Sequence, residues 1–577
     1  MEESDEDFSS DDLDFDDNWL PNDDPNSDTD SEHEDLNAVD AEILEGDEEE
    51  MLEETEESPT LIDTSDNVRW MEFSSRQKTF TFTGKSGFLI DVPSTISCLE
   101  AFYLFVDEEV IQLIVLETNR YAEQQIHRVP ITRASRKKKW VPTNATEIRK
   151  FLGLLLWMGL VKVGLLEDYW SKKNLYNFGI PAKTMSRNRF QLLLNFIHFT
   201  DNTSIAAGDR IGKLKPLLDM LQTKFQRVII PGENMVIDET VIPWRGRLVF
   251  RQYIPNKAHP YGIKLFKLCS TEGFTWSTKI YSGKSSTGVR EVGLAKNVCE
   301  ELSSLLKGEG RTLFVDNFYT SYELARSMLD QKTHVVGTLR ANKKFCPKEV
   351  MNAQLKRGEM VAREEENGIV VLKWKDTRDV RMLSTKHAPV MAAVSDQSIP
   401  DPNIPSTSRG RRINRRQGNR EKPLAIIEYN KGKSGIDLSD QMASYATTLR
   451  RGLKWYRKVA IEFLLGMAVV NSFLVYKKAT KSVMQIRKFR EQVAEGLLDL
   501  LSPQPVASKK HYIEKRKDAN GKTIRRACVL CYAQTKKSSD RKTARNSIKR
   551  TTTFCPECPN KPQLCVTCFP KYSHSKR

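Results

Sequence analysis

Apolar positions along this chain change their period twice, and the changes divide it. Up to about Val92 the sequence is polar with no sustained apolar spacing, so residues 1–92 predict an acidic, disordered N-terminal region. From about 93 to 230 apolar residues recur every three or four positions, the spacing of amphipathic helices, and predict a helical domain. Ile96 to Ile126, Ser186 to Phe199 and Lys213 to Val228 are three such stretches. Asn144 followed by Glu147 reads as a capping box, opening a helix whose Ile148, Leu152, Leu155 and Leu156 share one face.

At Met235 the period shortens to short β-rich runs: Met235 to Ile242, Ile263 to Cys269, Thr275 to Tyr281, Leu313 to Val315 and His334 to Leu339. Helices are expected between them at Val292 to Leu306 and Tyr322 to Gln331, which makes this stretch an α/β core. Further strands are expected at Met360 to Arg363, Ile369 to Trp374 and Val380 to Leu383, followed by a linker rich in Pro, Ser and Asp. From Ser434 helical spacing returns and runs to about Leu501, broken at Arg450, Arg451 and Gly452. No apolar run reaches the roughly 18–20 residues of a membrane span, because Phe151 to Val161 is short and Ile461 to Tyr476 contains Glu462 and Asn471. A soluble protein of several domains, with no membrane partner, is expected.

Charge sharpens this picture. The net +13 conceals a polarity: residues 1–57 hold 28 of the 76 acidic residues and no Lys or Arg, which leaves 89 basic against 48 acidic side chains in the rest. Such a surplus on a folded chain points to a polyanion, most simply nucleic acid, since neutralising phosphates releases counterions. The acidic head reads either as a solvating tail or as an intramolecular competitor for the basic surfaces. Arg409 to Arg420 places six arginines in twelve residues. That run reads as a nuclear localisation signal, a phosphate-contacting loop or a solvated linker.

Six of the ten cysteines fall in the last fifty residues as three C-x-x-C pairs: Cys528/Cys531, Cys555/Cys558 and Cys565/Cys568. This spacing turns two thiolates toward one tetrahedral ion. With His511 before the pairs and His574 after them there are eight candidate ligands, enough for two structural Zn²⁺. Disulfides are not expected, because no signal-like segment opens the chain and Cys98, Cys269, Cys299 and Cys346 are scattered singly.

Two core strands end abruptly in a carboxylate: Met235-Val-Ile-Asp238 and Leu313-Phe-Val-Asp316. A carboxylate there must be hydrogen-bonded, act as a cap or bind a cation. Asp437 and Asp440, three apart on the later helix, share a face. Three convergent carboxylates are the ligand set of a two-ion phosphodiester centre, although among 76 acids the spacing alone is equally that of caps and surface acids.

The surrounding residues are more specific. Met235-Val-Ile-Asp-Glu-Thr-Val-Ile-Pro-Trp-Arg-Gly-Arg247, Tyr253-Ile-Pro-Asn-Lys257, Tyr261-Gly-Ile-Lys264, Val315-Asp-Asn-Phe-Tyr-Thr320 and Gly435-Ile-Asp-Leu-Ser-Asp-Gln-Met442, in this order, resemble the piggyBac transposase family. The resemblance runs from about residue 95 to the C-terminus. It implies a multidomain α/β protein with a ribonuclease H-like catalytic core at 231–340 and 424–502, the second part helical. The core is interrupted by a β-rich insertion and basic linker at 341–423. A helical dimerisation and DNA-binding domain is expected at 93–230, and a cross-brace zinc domain that binds terminal inverted repeats at 503–577.

By the same resemblance Asp238, Asp316 and Asp437 are the catalytic acids and ligands of two Mg²⁺, with Mn²⁺ as a substitute, and Asp440 is a fourth acid of the site. Arg245, Arg247, Lys257, Lys264 and Trp455 are expected at the DNA. The family excises an element through hairpin intermediates and inserts it at TTAA, acting as a dimer or higher assembly in the nucleus. Two other readings stand beside this one. The first is a domesticated relative that binds DNA in transcription or chromatin regulation without transposing. The second is a RING-like ubiquitin-ligase module in the tail, which the basic composition of residues 503–577 disfavours.

Overall fold

The computed structural model describes residues 68–577 except 129–134, 256–258, 284–291, 394–420, 450–452, 501–510, 519, 539–547, 549, 559 and 573–577. The acidic head to residue 57, the arginine run, Lys257 and His574 lie outside the described residues. The chain divides into two units, residues 1–498 and 499–577.

The first unit is organised by a ten-stranded sheet. Along the chain its strands are β1 (Trp70–Met71), β2 (Asn234–Pro243), β3 (Gln252–Tyr253), β4 (Tyr261–Ser270), β5 (Thr275–Ile280), β6 (Thr312–Val315), β7 (His334–Thr338), β8 (Met360–Glu365), β9 (Val370–Lys375) and β10 (Asp379–Ser384). At its heart the order is β5-β4-β2-β6-β7. The first three are antiparallel, with Asp238 of β2 facing Lys267 of β4, and the last two run parallel to β2, with Val315 beside Ile237. β4 is buried almost end to end, so its apolar run does not alternate.

Two expectations are corrected. The strands at 360–384, expected as a separate insertion, continue the same sheet, because Met382 to Ser384 of β10 pair with Val336 to Thr338 of β7. Residues 68–92, expected as part of the disordered head, are folded: Trp70 pairs with Glu365, and buried Glu364 accepts from the backbone N–H groups of Ser74 and Arg76 at 2.7 and 2.8 Å. A two-residue strand carries no periodicity to read, and Glu364 supplies what holds it.

The longer helices of this unit are α1 (Glu108–Arg128), α2 (Ala145–Leu160), α3 (Arg187–Phe196), α4 (Lys215–Val228), α5 (Leu294–Leu302), α6 (Tyr322–Asp330), α7 (Leu424–Gly432), α8 (Gly435–Ser444), α9 (Trp455–Thr480) and α10 (Ile486–Leu497). The stretch expected as helical from Ile96 to Ile126 is two helices, Cys98–Tyr103 and α1, because Asp107 accepts from the Val110 N–H and starts a new helix. The capping box of α2 is half made. Asn144 caps the Glu147 N–H at 3.0 Å, while the Glu147 carboxylate turns to Arg189 and Thr143.

α9 is long and apolar enough to cross a membrane by length and composition, contrary to the reading that Glu462 and Asn471 interrupt its run. In this fold 83% of its most apolar window is buried inside the protein. Its two polar interruptions have structural partners. Asn471 exchanges hydrogen bonds of 2.9 and 2.8 Å with the backbone N–H and C=O of Thr275, occupying peptide groups at the free edge of β5. Glu462 opens a π-helical turn over Glu462–Met467.

α7 and α8 lie on the sheet face that carries Val236 and Phe314, and they reach it through glycines. A Cβ on Gly435 would stand 2.3 Å from the Ser270 carbonyl oxygen, and one on Gly432 would stand 2.4 Å from the Phe314 ring. At the other end of α8, fully buried Arg490 of α10 donates to the carbonyls of Met442, Ala443, Ala446 and Leu465. Gly435→Ala is therefore expected to destabilise the protein by about 1–3 kcal/mol, as overpacking does. Gly164→Ala, where a Cβ meets nothing within 4 Å, should stay within about 0.5 kcal/mol of the wild type. Equilibrium denaturation of the two variants checks this.

Candidate active site and metal centres

Pairing of Val315 with Ile237 sets Asp316, which directly follows β6, beside Asp238 in the middle of the parallel strand β2, which runs on to Pro243 and so does not end at its acid as expected. Both are partly buried. Asp316 is fixed by its turn: its Oδ1 accepts from the Phe318 N–H at 2.8 Å, and its carbonyl accepts from Thr320. Burial and then the neighbouring charge of Glu239 hold its carboxyl above the usual range, while the backbone N–H groups of Phe318 and Tyr319 oppose the rise. Asp437 stands exposed in the first turn of α8. The charges of all three aspartates reach the Tyr429 phenol on α7, which burial chiefly and these charges secondarily push up to about 12. Among the described residues, three or more potential ligand atoms lie within 4.8 Å of one another only in the two cysteine clusters, so the three aspartates are spaced more widely than that. Two ions roughly 3.5–4 Å apart accept such spacing, and carboxylates are the hard donors that Mg²⁺ takes.

Asp440 is placed differently from the other three. Its carboxylate accepts from Thr240 at 2.8 and 3.0 Å and from Lys267 at 2.9 Å. The residues expected at DNA also separate. Arg245 and Arg247 are exposed in the loop after β2. Trp455 packs edge-on against Phe250 of that loop, centroids 5.2 Å apart, so its ring buttresses the arginine-bearing segment. Lys264 turns inward, contrary to its expected phosphate contact. It is 8% exposed, lies 3.9 Å from Glu239 and sits over the Phe318 ring at 4.3 Å.

Sequence reasoning missed Glu239, Tyr319, Thr240, Lys267 and Tyr429. Glu239 accepts from buried Tyr319 at 3.2 Å on the side of β2 away from Asp238. Two lysines inside the otherwise apolar run of β4 were the available signal, since a lysine in a buried strand needs a buried partner.

In the second unit the ligand partition is explicit. Cys528, Cys531, Cys565 and Cys568 form one cluster, and His511, Cys555 and Cys558 form another. Chain order makes them interleave, as a cross-brace requires. All six cysteines are free thiols, and the Cys531 sulfur lies 3.6 Å from that of Cys568 and 3.9 Å from that of Cys565. A tetrahedron with Zn–S bonds near 2.3 Å has an edge of about 3.8 Å, so the donor set fits zinc. The His511 Nδ1 stands 3.4 and 3.6 Å from the sulfurs of Cys555 and Cys558.

A family profile described as Transposase IS4 matches residues 97–473, more than half of the chain. The chain belongs to this transposase family, in its piggyBac-type branch. PiggyBac transposable element-derived protein 2 of Homo sapiens is 25% identical over 487 residues, 81% of this chain and 77% of that protein. PiggyBac transposable element-derived protein 3 of Homo sapiens is 24% identical over 424 residues, 72% of this chain and 67% of that protein. In fold, the chain is similar to a piggyBac transposase solved by cryo-EM in a synaptic complex with hairpin DNA. The TM-score is 0.59 at 23% identity, covering 84% of this chain and all of that one.

Two outcomes follow from the electrostatics and the cysteine clusters. Burial of the Glu462 carboxyl pushes it from 4.5 to about 7, so the folded state holds a proton that the unfolded state releases between those values. Stability from this group is complete at low pH and is lost as pH rises toward 7. Glu462→Gln should therefore melt increasingly above the wild type between pH 5 and 8, as thermal scans across that range would show. Elemental analysis should find two zinc per chain, and Cys528→Ser and Cys555→Ser should each lose about one.

Proposed function

We propose that this protein is a DNA transposase of the cut-and-paste kind. It binds terminal inverted repeats, excises its element through hairpin intermediates and joins it to TTAA sites by two-metal phosphoryl transfer. The observation that carries this reading is Asp316 following β6 beside Asp238 of the neighbouring parallel strand β2, with α8, which bears Asp437, packed on the same sheet face through Gly435. The central strand order, three antiparallel strands and then two parallel ones, with Asp238 on the third and Asp316 just after the fourth, supports a ribonuclease H-like core.

Asp238, Asp316 and Asp437 would hold two Mg²⁺, with Mn²⁺ as a substitute. The ions supply charge to polarise the scissile phosphate, activate the attacking oxygen and stabilise the leaving one. The protein's own groups do the rest. The turn at Phe318 aims Asp316, α8 delivers Asp437, and Arg245 and Arg247 hold the strand's phosphates from the loop that Trp455 buttresses. The interleaved cysteine module presents a basic surface to the terminal repeats, with two structural Zn²⁺. Cutting two ends together calls for a dimer or larger assembly on DNA, in the nucleus. The neighbouring solved structure, named as a synaptic complex with hairpin DNA, supports the same assembly and intermediate. A second reading is favoured by the names of the human relatives as element-derived proteins: a DNA-binding protein acting in transcription or chromatin without transposition.

The test is cleavage of DNA carrying candidate terminal repeats beside TTAA, with Mg²⁺, by wild type and Asp316→Asn. Hairpinned ends are expected from the wild type and none from the variant. Specific binding with no cleavage by either protein would favour the second reading and overturn the first.

A further inference from the structure

Asp440 is held by two side-chain donors from the sheet. Lys267, 1% exposed, donates to Asp440 Oδ1 at 2.9 Å and to the Ser439 hydroxyl at 3.0 Å. Thr240, two residues after Asp238 on β2, donates to the same carboxylate. Both Asp440 oxygens thus lie within hydrogen-bond reach of protein donors. In the strand register Lys267 stands directly opposite Asp238. One ammonium therefore links the strand beside the first catalytic acid to the helix that carries the third. Asp440 follows Asp437 by one helical turn, so a grip on Asp440 sets the rotation and height of Asp437.

A lysine in this position is costly unless it is paired, because burial disfavours its charge. The Asp440 carboxylate, through its charge and its hydrogen bond, offsets that penalty and holds the ammonium protonated, above the usual lysine range. The remainder of α8 is fixed by other means, through Gly435 at its start and Arg490 at its end.

We propose that Lys267 is a positioning residue of the active site. By gripping Asp440 and Ser439 it seats α8 on β2 and β4 so that Asp437 faces Asp238 and Asp316, and Asp440 is the anchor of this grip instead of a metal ligand. The inference rests on the carboxylate triad of the proposed function and adds to it a cation that the triad's motif does not contain.

The experiment measures Mn²⁺ binding to the full-length, zinc-loaded protein by electron paramagnetic resonance, for wild type, Lys267→Met, Asp440→Asn, their double variant and Asp316→Asn. Thermal melting and affinity for terminal-repeat DNA are followed in parallel. Lys267→Met and Asp440→Asn should each weaken Mn²⁺ binding about tenfold or more, the loss typical of groups that orient a ligand. The double variant should be no weaker than either single one, since one contact is lost in all three. DNA affinity should be unchanged. Mn²⁺ binding that is unchanged or tightened by Lys267→Met but weakened by Asp440→Asn would show that Asp440 is itself a ligand, and would overturn the proposal while leaving the triad intact. Mn²⁺ binding unchanged in Asp316→Asn would instead overturn the triad reading. Asp440 is partly exposed, so Asp440→Asn and its comparison with Asp316→Asn keep the test decisive should Lys267→Met not fold.

Discussion

A close approach of helix to sheet in the first unit is the constraint on which the candidate site depends. α8, which bears Asp437, packs onto the sheet face of Val236 and Phe314 because α7 ends and α8 begins on residues without side chains. Any Cβ at Gly432 or Gly435 would collide with the Phe314 ring or the Ser270 carbonyl. Two glycines thus convert a helix that could pack at an ordinary distance into one whose first turn abuts strand ends. The buried Lys267 and Arg490 then hold it by its middle and its C-terminal carbonyls.

This arrangement places unlike chemistries on the two sides of β2. On the side facing α7 and α8 stand Val236, Asp238 and Thr240, which pass from apolar packing to a site acid to a hydrogen-bond donor within five residues. On the other side Glu239 is engaged by Tyr319 and Lys264, and its charge is felt at Asp316. The alternation of a strand is what lets neighbouring acids have separate surroundings, one open to the site and one enclosed.

Much of this was legible in the sequence, for identifiable reasons. Long periodic stretches such as Lys213 to Val228 and the apolar run before Asp316 carry their own signal, and the C-x-x-C pairs define their ligands by spacing, whereas Asp238, read as ending its strand, stands in the middle of β2. What escaped was non-local. The strand at Trp70 is only two residues long, and nothing nearby shows that Glu364, almost three hundred residues on, will bind the backbone after it. Strands at 360–384 were readable as strands, but their continuation of the core sheet depends on a pairing with β7 that no local pattern encodes. Lys264 illustrates a different failure: its charge pointed outward, while its strand buries it against Phe318 and Glu239. The pairing of cysteines into two clusters became definite only when His511 was found beside Cys555 and Cys558.

The site is assembled from both ends of a long chain segment, and this bears on synthesis. A nascent chain has made Asp238 and Asp316 well before Asp437, and the arginine that holds the carbonyl end of α8 follows some fifty residues after that. Until residue 490 has left the ribosome, the carbonyl end of α8 lacks the guanidinium that holds it, so the order of the elements ties the seating of this helix to near-completion of the first unit.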